Sequence, residues 1–305
     1  MRGTWYIVPT AFAADGALDL ESQRRLIDAA IGWDVDGLTV LGVMGEANAL
    51  SDEERRAVLD AVREASAGRV PIAVGCTASS ARGVIALAQE ARARGASAVM
   101  VSPPTLLTNT DLLPDFYARI AKEGGLELII QDHPASSGVN MPASVILRSA
   151  EASGATVIKL EDPPTPPKIT RLLAARPDLQ VFGGLGGVSA LGELSRGGCG
   201  TMTGFAFPEI LTAVRTAVEA GDRRTAGLIF DRYLPLIQFE GQPVVGLAIR
   251  KEVLRRRGAL ATNVTRGFSP RIDPITNGEL DDLLDRLGIV PSIAPFIVEQ
   301  PAAVR

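Results

Sequence analysis

The chain has 305 residues, of which 46% are hydrophobic, 22% charged and only 5% aromatic, with 31 Gly and 20 Pro. That apolar fraction excludes a largely disordered chain, and the composition is neither collagen-like nor that of a coiled coil. With 35 acidic and 31 basic residues the net charge is -4, so no overall field draws DNA or RNA.

Length alone leaves two domains of roughly 100–200 residues or one α/β barrel open. Met1–Thr10 contains no long apolar stretch, and nowhere do about 18 apolar residues run together as a bilayer crossing requires. The expectation is a soluble cytoplasmic protein without membrane partners. Cys76 and Cys199 form no CxxC or zinc spacing and read as reduced, structural thiols. A single histidine, His133, cannot build a multi-histidine metal site, although it leaves a carboxylate-bound ion open. No metal or cofactor is expected. The one dense basic run, Arg250, Lys251, Arg255, Arg256 and Arg257, lies on a helical stretch near Glu240 and Glu252. It reads as a solvated helix face or a subunit contact.

Short apolar runs alternate with helical patterns along the chain. Trp5–Val8 is the first predicted strand, followed by a helix over Leu20–Trp33. Gly37–Leu41 leads into Asp52–Ala67, where Val58, Leu59 and Val62 follow a charged first turn. Val70–Gly75 precedes a helix at Ser79–Arg94, and Ala96–Val101 precedes Thr110–Lys122. Leu126–Gln131, Thr156–Leu160, Leu179–Phe182 and Gly200–Thr203 complete eight strands. Their helices are Pro142–Ala152, Thr165–Ala175, Val188–Ser195 and Pro208–Glu219.

Eight strand–helix units joined by short right-handed crossovers can close a sheet on itself. At roughly 27 residues per unit, residues 1–220 fit one (β/α)8 TIM barrel; an open doubly wound sheet is the alternative. After Gly221 three further stripes mark accessory helices. They are Ala226, Ile229, Phe230 and Leu234; Val244, Leu247, Ala248 and Val253; and Leu280, Leu283, Leu284 and Leu287. Residues 221–305 thus form a C-terminal helical extension, ending in an irregular tail punctuated by Pro291, Pro295 and Pro301.

In such a barrel chemistry gathers at the C-terminal ends of strands. Lys159 closes the apolar run from Ala155 to Ile158. Desolvation there favours the neutral amine, which can attack a carbonyl. Placement alone also allows a structural ion pair with Glu161 or Asp162, or a solvated strand end. Gly42-Val43-Met44-Gly45-Glu46 follows the second strand, where backbone amides can hold a substrate carboxylate. Glu46 either orients that loop or serves as a structural acid. Gln131 can hydrogen-bond an oxygen but is no ordinary acid or base, while Asp132 and His133 read as a turn cap and an exposed loop histidine. The glycines of Gly183–Gly187 and Gly200–Gly204 allow sharp turns or close backbone approach to a substrate. Neither run matches a phosphate-binding motif, which disfavours ATP and dinucleotides.

Taken together, Gly42–Glu46, Gln131–Gly138, Val157–Glu161 and Gly200–Gly204 resemble the dihydrodipicolinate synthase and N-acetylneuraminate lyase superfamily over nearly the whole chain. The resemblance implies a class I lyase, commonly a tetramer, in which Lys159 forms a Schiff base with a 2-oxo acid. Dehydration and aldol cleavage both remain open, since both need the same lysine. Departures are informative. Val43 and Met44 replace two threonines that bind carboxylate, Gln131 replaces a proton-relaying tyrosine, Ser136 an arginine, and Pro104 and Thr105 paired tyrosines. These losses disfavour the lysine-biosynthetic synthase reaction.

Gln131-Asp132, Pro134-Ala135-Ser136, Lys159-Leu160-Glu161, Met202-Thr203-Gly204 and Phe207-Pro208 are similar to the sugar-acid dehydratase branch, which acts on 2-keto-3-deoxy acids such as 2-keto-3-deoxy-L-arabonate. On that resemblance Lys159 and Gln131 are the expected catalytic residues, and Val43, Met44, Gly45, Glu46, Gly184 and Thr203 the expected substrate contacts. The expected partners are a small 2-oxo acid and other copies of the chain, in a homotetramer or dimer. A catalytically inactive oligomeric scaffold is the competing expectation. Protons would move through Glu161, ordered water or a residue of a neighbouring subunit.

Overall fold

A computed structural model describes residues 1–105, 107–267 and 269–299, so Pro301 and the last residues of the expected tail lie outside the described residues. Its eight strands are β1 (Gly3–Ile7), β2 (Gly37–Val40), β3 (Ile72–Gly75), β4 (Ala98–Val101), β5 (Glu127–Asp132), β6 (Val157–Leu160), β7 (Gln180–Gly183) and β8 (Gly200–Thr203). All neighbours are parallel, and β1 pairs with β8 through Gly3↔Gly200 to Tyr6↔Thr203, which closes the barrel and removes the open-sheet alternative. The helices are α1 (Leu20–Gly32), α2 (Asp52–Ser66), α3 (Ala81–Ala93), α4 (Leu113–Gly124), α5 (Pro134–Ser137), α6 (Ala143–Ser153), α7 (Thr165–Ala175), α8 (Ala190–Leu194), α9 (Pro208–Glu219), α10 (Arg223–Glu240), α11 (Gly246–Arg256) and α12 (Pro274–Arg286).

Strand alternation divides the core in two. Trp5, Ile7, Ala73, Ala98, Met100, Ile129, Val157, Phe182 and Met202 fill the barrel interior, where the Trp5 and Phe182 rings meet edge to face at 6.3 Å. Residues of opposite parity, such as Tyr6, Leu38, Ile130, Ile158 and Val181, pack outward against the helices. Because the strands are covered on both faces, several of them, such as β4 and the middle of β5, read as apolar runs, the pattern of a buried parallel sheet.

Local signals account for the element ends. Ser51 and Glu54 make a reciprocal capping box at the start of α2, satisfying two backbone N–H groups that the helix leaves orphaned. The predicted helix over Val188–Ser195 starts later and is shorter, running from Ala190 to Leu194, because Ser189 at φ -110° and ψ 9° lies outside helical backbone and forms its N-terminal boundary. α5 was not predicted; it is one turn wound directly after β5, with Pro134 at its first position.

The C-terminal segment departs further from expectation. Val244 is 75% exposed and precedes α11, whose apolar stripe is instead Ala248, Ile249, Val253 and Leu254. The basic run is largely not a solvated face: Arg250, Lys251 and Arg257 are buried, while Arg255 and Arg256 reach Glu252. Arg257 stacks 3.8 Å over the Trp33 ring and donates from Nη2 to Glu209 Oε1 at 2.6 Å. These contacts hold the last helices against the barrel, as do Trp33 Nε1 donating to Ile293 O and Thr262 Oγ1 donating to Phe12 O.

Candidate active site

The inward parity of β6 runs Val157, Lys159, Glu161, which lifts a lysine and a glutamate out of the apolar interior at the C-terminal end of the barrel. Lys159 is 2% exposed, and its Nζ lies 2.8 Å from Glu161 Oε2. Gln131 is the register partner of Lys159 on β5 and shares its parity. Its Nε2 donates to the same Glu161 oxygen at 2.7 Å, and its Oε1 accepts from Ser102 Oγ at 2.9 Å. Ser102, Gln131, Glu161 and Lys159 therefore form one buried polar chain across three strand ends. The Gln131 amide is fixed at both ends, and its N–H supplies the donor that a buried carboxylate needs.

Burial alone would raise the Glu161 carboxyl. The Lys159 charge, His133 and the hydrogen bonds from Lys159 and Gln131 outweigh it and hold the group below the usual glutamate range. An ionised carboxylate thus stands against a lysine amine, both of them buried. Gly184 makes room for it: a Cβ there would come within 2.3 Å of Glu161 Cγ, and Leu185 N approaches Glu161 Oε1 at 3.5 Å. Gly184 is thereby packed directly against the Glu161 side chain.

Other predicted contacts fare differently. Val43, Met44 and Gly45 form a single 3-10 turn after β2. Val43 is 61% exposed; Met44 caps the interior cluster, and a Cβ on Gly204 would lie 2.6 Å from its sulfur. Gly45 is buried, and its carbonyl accepts from Thr10 Oγ1 at 2.6 Å. The Glu46 side chain is turned away from substrate duty. Its carboxylate is taken up by Lys251 Nζ at 2.5 Å and by the backbone N–H groups of Arg266 and Gly267, both at 2.7 Å. It orients the loop. Thr203 is a second correction: Met202 faces the interior, so alternation sends Thr203 toward the helices, where its Oγ1 accepts from Phe205 N at 3.2 Å.

Asp132 is not a turn cap. It is the buried last residue of β5, bound to Lys168 Nζ at 2.5 Å, and burial pushes its carboxyl up to about 6 against the pull of that lysine. His133 is half-buried rather than exposed; its Nδ1 meets Ser136 Oγ at 2.8 Å, and burial lowers the imidazole below its ordinary value. The contact of Arg250 with the loop after β2 was not expected from the sequence. Arg250 reaches back from α11 to that loop, with Nη1 2.8 Å from Met44 Sδ. Its flanking Ile249, Val253 and Leu254 could have signalled burial, since charges on a helix with so little polar face are seldom all solvated.

Among the described residues no group of three or more His, Cys, Asp and Glu side chains is placed to hold a metal ion, and no helix is long and apolar enough to cross a membrane.

A model of the dihydrodipicolinate synthetase family matches residues 1–280. The chain belongs to that family. Family members are lyases, and the named relatives fall into more than one activity. The chain is 32% identical over 293 residues to L-2-keto-3-deoxyarabonate dehydratase of Azospirillum brasilense, covering 94% of each protein. It is 33% identical over 233 residues to 4-hydroxy-tetrahydrodipicolinate synthase of Xanthomonas axonopodis pv. citri, covering 76% of this chain and 74% of that one. Among solved structures, dihydrodipicolinate synthase from Rhodopseudomonas palustris superposes with a TM-score of 0.89 at 34% identity, over 94% of this chain and 97% of that one.

Proposed function

We propose that this family member is a Schiff-base lyase that dehydrates a 2-keto-3-deoxy sugar acid. The observation that carries the reading is the buried Lys159 amine 2.8 Å from the ionised Glu161 carboxylate, with Gln131 bound to the same oxygen.

The chemistry follows from those groups. Glu161 takes a proton from the Lys159 ammonium, and the neutral amine adds to the C2 carbonyl; loss of water gives an iminium. The iminium draws electrons from C3, so a C3 proton leaves to a base and an enamine forms. Expulsion of the C4 hydroxyl, protonated as water, yields a conjugated iminium. Addition of water at C2 then releases the product and returns the amine. For a five-carbon substrate with hydroxyls at C4 and C5, tautomerisation of the product gives a 2,5-dioxo acid. Glu161 is the proton carrier in this scheme; Gln131, which has no titrating proton, orients Glu161 or a substrate hydroxyl. The name of the Azospirillum relative supports the same substrate class.

A pyruvate-releasing aldolase is the second reading. It uses the same iminium and breaks the C3–C4 bond in place of the C4–O bond. The synthase reaction is less well supported: Gln131 stands at the strand-5 position, and Tyr6, Tyr117 and Tyr233 are buried in the outer, helix-facing core. Borohydride trapping with pyruvate and 2-keto-3-deoxy sugar acids, followed by product analysis, tests the proposal. A 2,5-dioxo product without carbon loss supports dehydration, and released pyruvate supports cleavage. No adduct with any 2-oxo acid sinks both in favour of an inactive scaffold. A homotetramer or dimer belongs to the same reading and is checked by sedimentation.

A further inference from the structure

Gln131 and Glu161 are each followed by an aspartate. Alternation turns the side chain after an inward residue toward the helices, so Asp132, which is wholly buried, leaves β5 on the face opposite Gln131. Lys168, near the start of α7 and 8% exposed, meets both aspartates. Its Nζ donates to Asp132 Oδ2 at 2.5 Å and to Asp162 Oδ2 at 2.8 Å. The backbone closes the same link, with Glu161 N donating to Asp132 O at 2.8 Å.

The ends of β5 and β6 therefore carry a bridge on each face. On the inner face Gln131 Nε2 reaches Glu161 Oε2 at 2.7 Å, and Lys159 Nζ lies 2.8 Å from that oxygen. On the helix side one ammonium spans the residue that follows each of them. Stability does not explain this outer bridge, because a buried cation between acids is worth no more than apolar packing of similar volume, and α7 already buries Ile169 and Leu172 there. Nor are its polar atoms all satisfied, since Asp132 Oδ1 has no partner among the described residues. What the bridge does fix is spacing: the two strand ends cannot separate without breaking a buried ion pair.

We infer that Lys168 is a positioning residue, which holds Asp132 and Asp162 together on the helix side and so sets the spacing of Gln131 and Glu161 and the aim of the Glu161 carboxylate at Lys159. The inference rests on the imine reading above, in which Glu161 carries the proton. A reacting group keeps its geometry only when the residues behind it are themselves locked.

The test follows exchange of the pyruvate methyl protons for deuterium by NMR, which needs only the imine and proton removal from C3. Wild type, K168M and D162A are compared, with rates counted per site trapped by borohydride, so that a loss of folded protein alone changes nothing. In both variants the saturated exchange rate falls by about 10–100-fold, the effect of a small misplacement, while half-saturation stays within about threefold. The acid limb of the pH profile moves upward in both, because a Glu161 carboxylate parted from Gln131 and Lys159 loses the contacts that hold it low. Lys159, His133, Asp132, Glu193 and Arg250 also act on Glu161 through their charge, and none is replaced in either variant.

K168M removes a positive charge and D162A a negative one. Limbs that move in opposite directions would therefore mean that charge acts without positioning, and overturn the inference, as would exchange within threefold of wild type. If K168M fails to fold by circular dichroism, D162A decides alone, since that side chain is 29% exposed: an unaltered rate, or a limb that moves down, counts against the inference. Absence of any wild-type adduct is a different result, because it removes the imine reading itself. A wild-type adduct without exchange removes Glu161 as the proton carrier, and the inference with it.

Discussion

Glu161 Oε2 lies 2.8 Å from Lys159 Nζ, both side chains being more than nine-tenths buried. Two residues apart on one strand edge, they share a face by parity, so neither can move without disturbing the other. Lys159→Ala should therefore abolish both the trapped adduct and turnover. Circular dichroism accompanies the assay, since removing one partner of a buried pair also costs about 3–5 kcal/mol of stability. A folded variant that still formed the adduct would defeat the lysine assignment.

Glu161→Gln separates the proton carrier from the nucleophile. The amide keeps the shape and can still face Gln131, but it accepts no proton. Adduct should still form on prolonged incubation, with kcat lowered by about 10²–10⁴-fold, the usual contribution of a positioned acid or base. Turnover within about threefold of wild type would assign the proton step elsewhere.

Gly184→Ala tests the packing beside Glu161. The new Cβ would stand 2.3 Å from Glu161 Cγ, so the carboxylate must shift. Displacement by about 1 Å is enough to lower turnover about 100-fold. Gly278→Ala provides the contrast: it lies in α12 with nothing within 4 Å of the added atom, and should stabilise the protein by about 0.5–1 kcal/mol. Equal activity in the two variants would contradict the packing argument.

Glu193 gives the pH dependence a definite sign. Thr165 Oγ1 donates to its Oε1, its Oε2 has no partner among the described residues, and burial pushes the carboxyl from its ordinary value of 4.5 up to about 7. The folded protein then holds a proton that the unfolded chain releases near pH 4.5, so this stability is present at low pH and is lost as pH rises through about 7. Glu193→Gln mimics the protonated form. It should stabilise the protein at pH 8 by up to about 3 kcal/mol and flatten the dependence of Tm on pH between 5 and 8. A Tm that fell equally at both pH values would count against it.

Glu46 and Lys251 make the other informative pair. Both are buried, joined at 2.5 Å although 205 positions apart in sequence. Lys251→Met should lower stability by about 3–5 kcal/mol by stranding the Glu46 carboxylate, whereas replacing both by Gln and Met should recover much of that loss. Denaturant titration of the single and double variants measures the coupling. Additive losses would mean the two act separately.

These pairs also explain what was legible in the residues themselves. Eight strands could be read because a parallel strand covered on both faces leaves a run such as Leu128-Ile129-Ile130 or Val157-Ile158, although the ends shifted by one or two positions. Lys159 stood out because a charge ended such a run. Strand alternation, applied to Met202 and Thr203, turns Thr203 outward from the sequence alone. The flanking apolar residues hint that Arg250 is buried, but the partners of Glu46, Arg250, Lys251 and Arg257 could not be placed, because they lie tens to hundreds of positions away and no local window contains both ends.

The clasp between Glu46 and α11 bears on how this barrel can be shortened. A chain cut near residue 221 would retain every strand, yet Glu46 would lose Lys251, Arg266 N and Gly267 N together, and the turn after β2 would rest on an unanswered charge. The closing eighty residues are thus a keystone for the mouth of the barrel. Trimming them would leave its rim unsupported, so a minimal version of this fold would first have to be redesigned at position 46.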